Sequence, residues 1–260
     1  MTRTSGTQAL ERAIALLEAI ANAPEDGVKL ADVAEACAIE QPTAHRIATR
    51  LESSGLVARV GDSKRFCLGP RLFQLAMASA EGGGLLGKAR PSLLRLAVMS
   101  GDCVFLMVRS GLDAVCLDRQ DGDYTIRSLT GRIGGATPLG LGTGSVTILS
   151  YLPAEERLEI LAGNRTRIEA SGHPLPTEEE MAAIRACGHS YEVSTTIAGV
   201  VGVAVPILTP KGRPLGALAL GATEARLPAD RLDVIVAMME KERREIEQSV
   251  SASRVLLEPR

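Results

Sequence analysis

The sequence predicts a multidomain α+β protein, with an N-terminal winged helix-turn-helix and a C-terminal α+β domain that has a mainly antiparallel sheet. A helix, a tight turn, a second helix and a hairpin signal follow one another over residues 28–68. Three consecutive glycines at 82–84 predict a hinge, because glycine is a poor helix former. After them, helical patterns alternate with paired apolar strands, which is typical of an antiparallel α+β domain.

These features divide the 260 residues into three segments. Residues 1–69 are predicted to form the winged helix-turn-helix domain, 70–84 a linker helix with a hinge, and 85–260 the second domain. A chain of this length can bury two separate hydrophobic cores. The linker helix is too short to be a domain, so its apolar face is expected to pack on a partner subunit.

The composition is that of a globular chain, with 45% hydrophobic and 23% charged residues, which excludes a disordered protein. No apolar run approaches the roughly 20 residues that a membrane-spanning helix needs, and residues 1–21 lack the features of a secretion signal. The five cysteines form no CxxC pair, as is usual in the reducing cytoplasm. We therefore expect a cytoplasmic protein without a membrane partner, a metal or a cofactor.

Helices are predicted in the first domain from apolar residues at helical spacing. The first covers residues 7–23, where Leu10 and Ile14 share one face. The second covers residues 30–38. The third covers residues 42–53 and begins with proline, which is favoured in the first turn because its missing N–H needs no partner there.

The third helix has one apolar and one polar face, and the apolar face (Ala44, Ile47, Ala48, Leu51) is expected in the core. Residues 41–71 contain six basic and two acidic side chains, although residues 1–80 as a whole are balanced. A recognition helix places its N-terminal residues on base edges, and arginine and glutamine match guanine and adenine. Cations on the wing reach phosphates or the minor groove. The predicted DNA contacts are Gln41, Thr43, His45, Arg46, Arg50, Arg59, Lys64 and Arg65.

The second domain shows alternating helical and strand patterns. A capping box, Thr177 followed three residues later by Glu180, predicts a helix start. The predicted helices cover residues 85–100, 145–152, 153–161, 177–187 and 230–250. The predicted strands cover residues 103–108, 114–118, 124–129, 200–207 and 214–221, with loops at 131–144 and 163–176.

These segments, in this order, resemble the IclR family of bacterial transcriptional regulators. In the first domain the resemblance rests on ALERAIALLEAI, QPTAHRIATRLESSGLV and RFCLGPRLFQL. In the second it rests on LLGKARPSLLRLAVMSG, RIGGATPLG, and GVVGVAVPI followed by GRPLGALAL. The resemblance implies a GAF-like, effector-binding second domain and homodimers or homotetramers on near-palindromic double-stranded DNA operators.

The resemblance also implies a small-molecule pocket. Its lining would be Ile126, Leu129, Thr143, Gly144, Glu192, Val200, Gly202, Ala219 and Gly221. The chain departs from the family at Gly140, where a histidine is common, and at Ser145-Val146, where Gly-Lys is common. Members that bind small oxo-acids carry serines where this chain has Ala219 and Gly221. Since lost hydroxyls remove carboxylate anchors and enlarge the cavity, we expect a larger and more apolar effector, such as an aromatic acid.

The expected function is that of a DNA-binding transcriptional regulator controlled by a small organic-acid effector, with no catalytic residues. The alternative is a ligand-binding or enzymatic module whose helix-turn-helix serves protein interaction. Two observations weaken enzymatic alternatives. The glycine-rich loop lacks the Lys-Ser/Thr of a P-loop, and the three histidines have no sequence partners for a catalytic triad or a zinc site.

Overall fold

The computed structural model places the chain in two compact units, Met1–Gly82 and Gly83–Arg260. The residues that it describes are 5–24, 26–61, 63–81, 84–124, 131–194 and 197–252.

The first unit contains helices and a small antiparallel sheet. Its helices are α1 (Ser5–Ala21), α2 (Leu30–Ala36), α3 (Gln41–Ser53) and α4 (Pro70–Glu81). Its strands, in the sheet order β1-β3-β2, are β1 (Val28–Lys29), β2 (Val57–Arg59) and β3 (Arg65–Leu68). Strand β1 was not predicted, because a two-residue strand has no periodicity of its own and exists through the pairing of Val28 with Phe66.

The core of the first unit forms where α3 packs on α1, α2 and the sheet. Ala44 and Ala48 of α3 are at most 1% exposed and Leu51 is 8% exposed. They pack with Leu16 of α1 and Phe66 of β3. The predicted apolar face of α3 is therefore confirmed, and the opposite face is left at the surface.

The second unit is built on a six-stranded sheet in which all pairs are antiparallel, in the order β6-β5-β4-β9-β8-β7. The strands are β4 (Cys103–Ser110), β5 (Asp113–Gln120), β6 (Ala136–Pro138), β7 (Ser190–Val193), β8 (Val200–Leu208) and β9 (Pro214–Thr223). The helices are α5 (Leu85–Ser100), α6 (Thr143–Ser150), α7 (Ala154–Ala170), α8 (Glu178–Cys187) and α9 (Ala229–Ser251).

Helices cover the two faces of this sheet with different partners. Leu218 and Leu220 of β9 belong to a core with α5 and α9. Ala217, on the opposite face because successive strand residues alternate, packs in a second core with α6, α7 and α8 residues. Ala219 lies on that second face and belongs to a third hydrophobic cluster, which includes Phe105. Phe105 and Ala219 both border a cavity on this face of the sheet.

Several sequence predictions for the second unit need correction. The loop predicted at 163–176 is wrong in its first half, because α7 continues through Gly163 to Ala170. Gly163 lies against Leu112, and the Asn164 side chain donates to the carbonyls of Leu112 (2.7 Å) and Leu139 (3.1 Å). These long-range contacts override the helix-ending tendency of glycine and asparagine.

Other differences concern short edge strands. The loop predicted at 131–144 contains β6, and β7 was not predicted; both exist through pairing with longer neighbours. The strand predicted at 124–129 falls outside the described residues except for Tyr124. Among the described helices, none is long and apolar enough to cross a membrane.

Candidate DNA interface and effector cavity

The outer face of α3 presents the predicted recognition side chains. Gln41, His45, Arg46 and Arg50 are exposed, and Thr43 is half-buried. Within the described ranges, the guanidinium groups of Arg46 and Arg50 have no ion pair or hydrogen bond. Since these two cations lie one helical turn apart, they form a positive strip that is open to a ligand.

The wing cations fall into two classes. Lys64 is exposed, and in the described part of the chain it makes no ion pair. Arg59 instead donates from Nε to Glu52 Oε1 (2.9 Å) and lies over the ring of Phe66, 4.8 Å from the centroid. Arg65 donates from Nη1 to the carbonyl of Gly27 (2.6 Å). Arg59 and Arg65 therefore already take part in contacts within the first unit.

A cavity of about 550 Å³ lies in the second unit, between the start of α6 and the face of the sheet that carries Ala219. Ile126 and Leu129 lie outside the described residues. The other predicted lining residues all border this cavity: Thr143, Gly144, Glu192, Val200, Gly202, Ala219 and Gly221.

Sequence reasoning missed several residues of the cavity wall. Phe105 and Met107 come from β4, where they pair with Ala219 and Ala217 of β9. Their alternation along a predicted strand was a usable signal, because residues i and i+2 share a face. His173, which follows α7, also borders the cavity, and no sequence pattern pointed to it.

Glycines allow α6 to approach the sheet closely. A Cβ on Gly202 would lie 2.8 Å from Thr143 Oγ1, and a Cβ on Gly144 would lie 2.9 Å from Met107 Cγ. Gly142 precedes the helix with φ +79°, a conformation that L side chains rarely adopt. The beginning of α6 therefore forms one wall of the cavity, with glycine required at each close approach.

Backbone N–H groups and a short hydrogen-bond chain define this wall. The first-turn N–H groups of Thr143, Gly144 and Ser145 find no acceptor in the described part of the chain, which is usual for the first turn of a helix. Ser190 Oγ lies 2.7 Å from Thr147 Oγ1 and donates to the carbonyl of Thr143 (3.2 Å). This chain ties α6 to the edge strand β7.

Glu192 is half-buried in β7, directly opposite Gly202 of β8. Burial raises the pKa of its carboxyl group, and the nearby charge of His173 opposes part of that shift. Glu192 and His173 also border a second cavity, of about 440 Å³, which reaches towards α8. The two cavities share this wall and form adjoining lobes.

Two protein-family models match segments of the chain. Residues 9–61 match the IclR helix-turn-helix domain. Residues 77–248, more than half of the chain, match the family described as bacterial transcriptional regulator IclR C-terminal. The first match lies within the first unit, and the second begins at residue 77, near the end of the first unit, and covers most of the second.

Curated relatives are similar over nearly their full length. The chain is 26% identical over 250 residues to the transcriptional repressor IclR of Escherichia coli, covering 94% of this chain and 90% of the relative. It is 27% identical over 258 residues to the acetate operon repressor of Salmonella typhimurium, covering 96% and 93% respectively.

Solved structures share the fold at lower identity. The IclR protein of Thermotoga maritima aligns with a TM-score of 0.68 and 21% identity over 94% of this chain and 99% of that chain. An IclR homolog from Microbacterium hydrocarbonoxydans, solved in complex with 4-hydroxybenzoate, aligns with a TM-score of 0.77 and 22% identity over 94% and 100%. From the winged helix-turn-helix, the antiparallel effector domain and these matches, the chain belongs to the IclR family of bacterial transcriptional regulators.

Proposed function

We propose that the protein binds a specific double-stranded operator and that a small organic effector controls this binding. The observation that carries the proposal is the exposed face of α3, where the Arg46 and Arg50 guanidinium groups have no partner in the described residues. Arginine on a recognition helix can bind guanine bidentately. The repressors of E. coli and S. typhimurium among its relatives support this function.

The DNA contacts divide into base-reading and phosphate-binding groups. Gln41, Thr43, His45 and Arg46, near the start of α3, read base edges. Arg50 and Lys64 bind phosphates, which position the protein but carry no sequence information. Arg59 and Arg65 also belong to the wing, but each must exchange or share its present partner to reach DNA.

The active form is proposed to be a homodimer, or a homotetramer, on a near-palindromic operator. Support comes from α4, within the proposed 70–84 linker, where Phe73 is 70% exposed and Met77, about one helical turn later on the same side, is 40% exposed. Large apolar side chains exposed together often mark an association surface. A two-fold dimer would place two copies of α3 in successive major grooves, about 34 Å apart.

The effector is proposed to be a relatively apolar organic compound, with an aromatic acid as the class that the sequence predicts. The cavity is wide enough for such a molecule, and Thr143 with the first-turn N–H groups of α6 can hold one carboxylate, since a helix N-terminus favours anions. Ile126 and Leu129 are proposed to complete the lining. The 4-hydroxybenzoate complex of the Microbacterium relative supports this class.

Effector control requires a difference in affinity between two states of the protein. The described lining of the cavity contains no residue of α3, so the effector is not proposed to act by competing for the DNA-contacting residues. A ligand changes DNA affinity only as far as it binds the DNA-competent and DNA-incompetent states unequally.

Fluorescence anisotropy with labelled intergenic DNA from upstream of the gene tests the proposal. We expect specific binding roughly 10³-fold or more tighter than binding to a scrambled duplex. A panel of aromatic and short-chain acids should contain a compound that shifts this affinity by at least about fivefold. Equal binding to both duplexes would contradict the DNA-binding assignment, and tight binding of pyruvate or glyoxylate would contradict the apolar effector.

A further inference from the structure

Glu192 is the acidic group in the wall that both lobes of the cavity share. Its strand β7 pairs with β8, and its partner in the register is Gly202, which has no side chain to cover it. Thr143 occupies the space next to Gly202, with its Oγ1 2.8 Å from a Cβ built there. The Glu192 carboxylate therefore faces the region in front of α6 where a ligand would lie.

Among the described residues, His173 is the group whose charge partly stabilises this carboxylate. Among the described residues that line the two lobes there is no lysine or arginine. The titratable neighbour shared by both lobes is His173. The second lobe adds another carboxylate, Glu180, whose Oε2 already accepts from the N–H of Thr177 (2.7 Å).

The Glu192 carboxylate also lacks a hydrogen-bond donor anywhere in the described part of the chain. A half-buried carboxylate without donors is unfavourable, because its oxygen atoms lose contact with water and gain nothing in return. Burial accordingly raises the pKa of this group. Within the described residues, Glu192 makes no hydrogen bond or ion pair that would hold the fold together, and those residues contain no cluster suited to a metal.

We infer that the effector carries a hydroxyl or amino group that donates a hydrogen bond to Glu192, so that its class is a hydroxy- or amino-substituted aromatic compound. This inference rests on the proposed effector role of the cavity. A ligand carboxylate at the same place would face a like charge, with no lysine or arginine among the described lining residues to compensate. The carboxylate of an aromatic acid therefore lies at the start of α6, and the donor group lies at Glu192.

Isothermal titration calorimetry with the full-length protein and four para-substituted benzoates tests this inference. The compounds share one ring and one carboxylate and differ in the opposite group: 4-hydroxybenzoate, 4-aminobenzoate, 4-methylbenzoate and terephthalate. We expect the hydroxyl and amino compounds to bind about tenfold or more tighter than the methyl compound, since hydrogen bonds to charged groups are the strong ones. Terephthalate should bind weakest.

The variant Glu192→Gln keeps the size of the side chain but removes its charge and adds an N–H donor. We expect it to bind terephthalate about tenfold tighter than the parent protein does, and to lose most of its preference for hydroxyl over methyl. Glu179→Gln on α8 is the matched control, because Glu179 is exposed and borders neither lobe. Thermal unfolding of both variants verifies that they fold.

Three results would overturn the inference: equal affinity for the hydroxyl and methyl compounds, tightest binding of terephthalate by the parent protein, or no binding of any compound at millimolar concentration. The operator assay on the same samples separates this failure from failure of the proposed function. If the protein binds its operator specifically and a ligand without a hydrogen-bond donor changes this binding, the inference fails but the regulator assignment stands. If the parent protein does not bind the operator more tightly than scrambled DNA, the regulator assignment fails. The ranking of the four benzoates by calorimetry still tests the inference about Glu192.

Discussion

Arg95 of α5 binds the buried carboxylate of Glu242 on α9, with Nε 3.0 Å from Oε1. Glu242 is 2% exposed, and Arg95 Nη2 also donates to Ser92 Oγ at 3.0 Å. A buried carboxylate is costly unless it is paired and hydrogen-bonded. This pair therefore links the two helices that cover one face of the large sheet.

Removing the cation of this pair should destabilise the second unit. We expect Arg95→Ala to lower the free energy of unfolding by about 2 kcal/mol, between the values for exposed and fully buried pairs, because Arg95 is half-exposed. Urea unfolding measures the change. Arg244→Ala, at an exposed position of the same helix α9, is the control and should change stability by less than about 0.5 kcal/mol.

The same pair makes stability depend on pH in the acidic range. Burial alone would raise the pKa of Glu242, but hydrogen bonds from Arg95 and Ser92 outweigh it and leave the pKa lowered. A carboxyl group whose pKa is lowered in the folded state stabilises the protein at pH values above its pKa in the unfolded chain, near 4.3. This contribution is lost as the pH falls through the pKa of the group in the folded protein. The stability difference between the parent and Arg95→Ala should therefore shrink from pH 7 towards pH 3. A difference that stays constant over this range would refute the assignment.

Arg46 and Lys64 should differ in how they affect DNA binding. We expect Arg46→Ala to lower the discrimination between operator and scrambled DNA by about 1–3 kcal/mol, because it removes a base contact. Lys64→Ala should weaken binding to all sequences and reduce the slope of log affinity against log salt by about one. Anisotropy titrations over a series of salt concentrations measure both effects. If Arg46→Ala leaves the discrimination unchanged, Arg46 does not contact a base edge and the proposed orientation of α3 on DNA is wrong.

A side chain at Gly202 should disturb the effector cavity. The Cβ of Gly202→Ala would approach Thr143 to 2.8 Å at Oγ1 and 3.2 Å at Cγ2, and overpacking of this kind costs about 1–3 kcal/mol. We expect a lower melting temperature and about tenfold weaker effector binding, measured by calorimetry.

The double variant Gly202→Ala/Thr143→Ala removes the two closest atoms that the new methyl group meets and leaves the Cβ of residue 143 in ordinary contact. It should recover the melting temperature, even though Thr143 itself belongs to the cavity wall. If Gly202→Ala alone binds the effector and melts like the parent protein, the position of Thr143 in the cavity wall does not require a glycine at 202.

Phe73 on α4 should affect assembly. We expect Phe73→Asp to shift the protein towards monomers and to weaken operator binding with it, because a dimer joined through this face would bury the ring, worth about 2 kcal/mol on each protomer. Sedimentation velocity measures the shift. The neighbouring exposed residue offers the control Gln74→Asp, and equal effects of both changes would place the interface elsewhere.

The elements that the sequence predicted well carry local signals. The capping box at Thr177 and Glu180 is present with both of its hydrogen bonds, at 2.7 and 3.2 Å. The core face of α3 followed from its 3.6-residue period, and the exposed face followed as its opposite. Such features depend on residues close in sequence, so one chain is enough to predict them.

The parts that were missed depend on distant residues. Strand β7 has only four residues at the edge of the sheet, yet it places Glu192 opposite Gly202. His173 reaches the cavity because α7 extends to Ala170, a consequence of Asn164 binding carbonyls about 50 and 25 positions away in the chain. Neither arrangement has a local pattern, and the predicted lining came instead from the family resemblance.

The three cysteines of the second unit differ in their chemical accessibility. Burial raises the pKa of the Cys116 thiol to about 11, Cys103 is fully buried, and Cys187 is exposed. Since the thiolate is the reactive form, Cys116 is inert towards alkylating reagents at neutral pH. Cys187 borders the second lobe, which shares Glu192 with the first. The effector domain thus carries a natural attachment point for a fluorescent reporter at the edge of its own ligand site, and no cysteine needs to be introduced there.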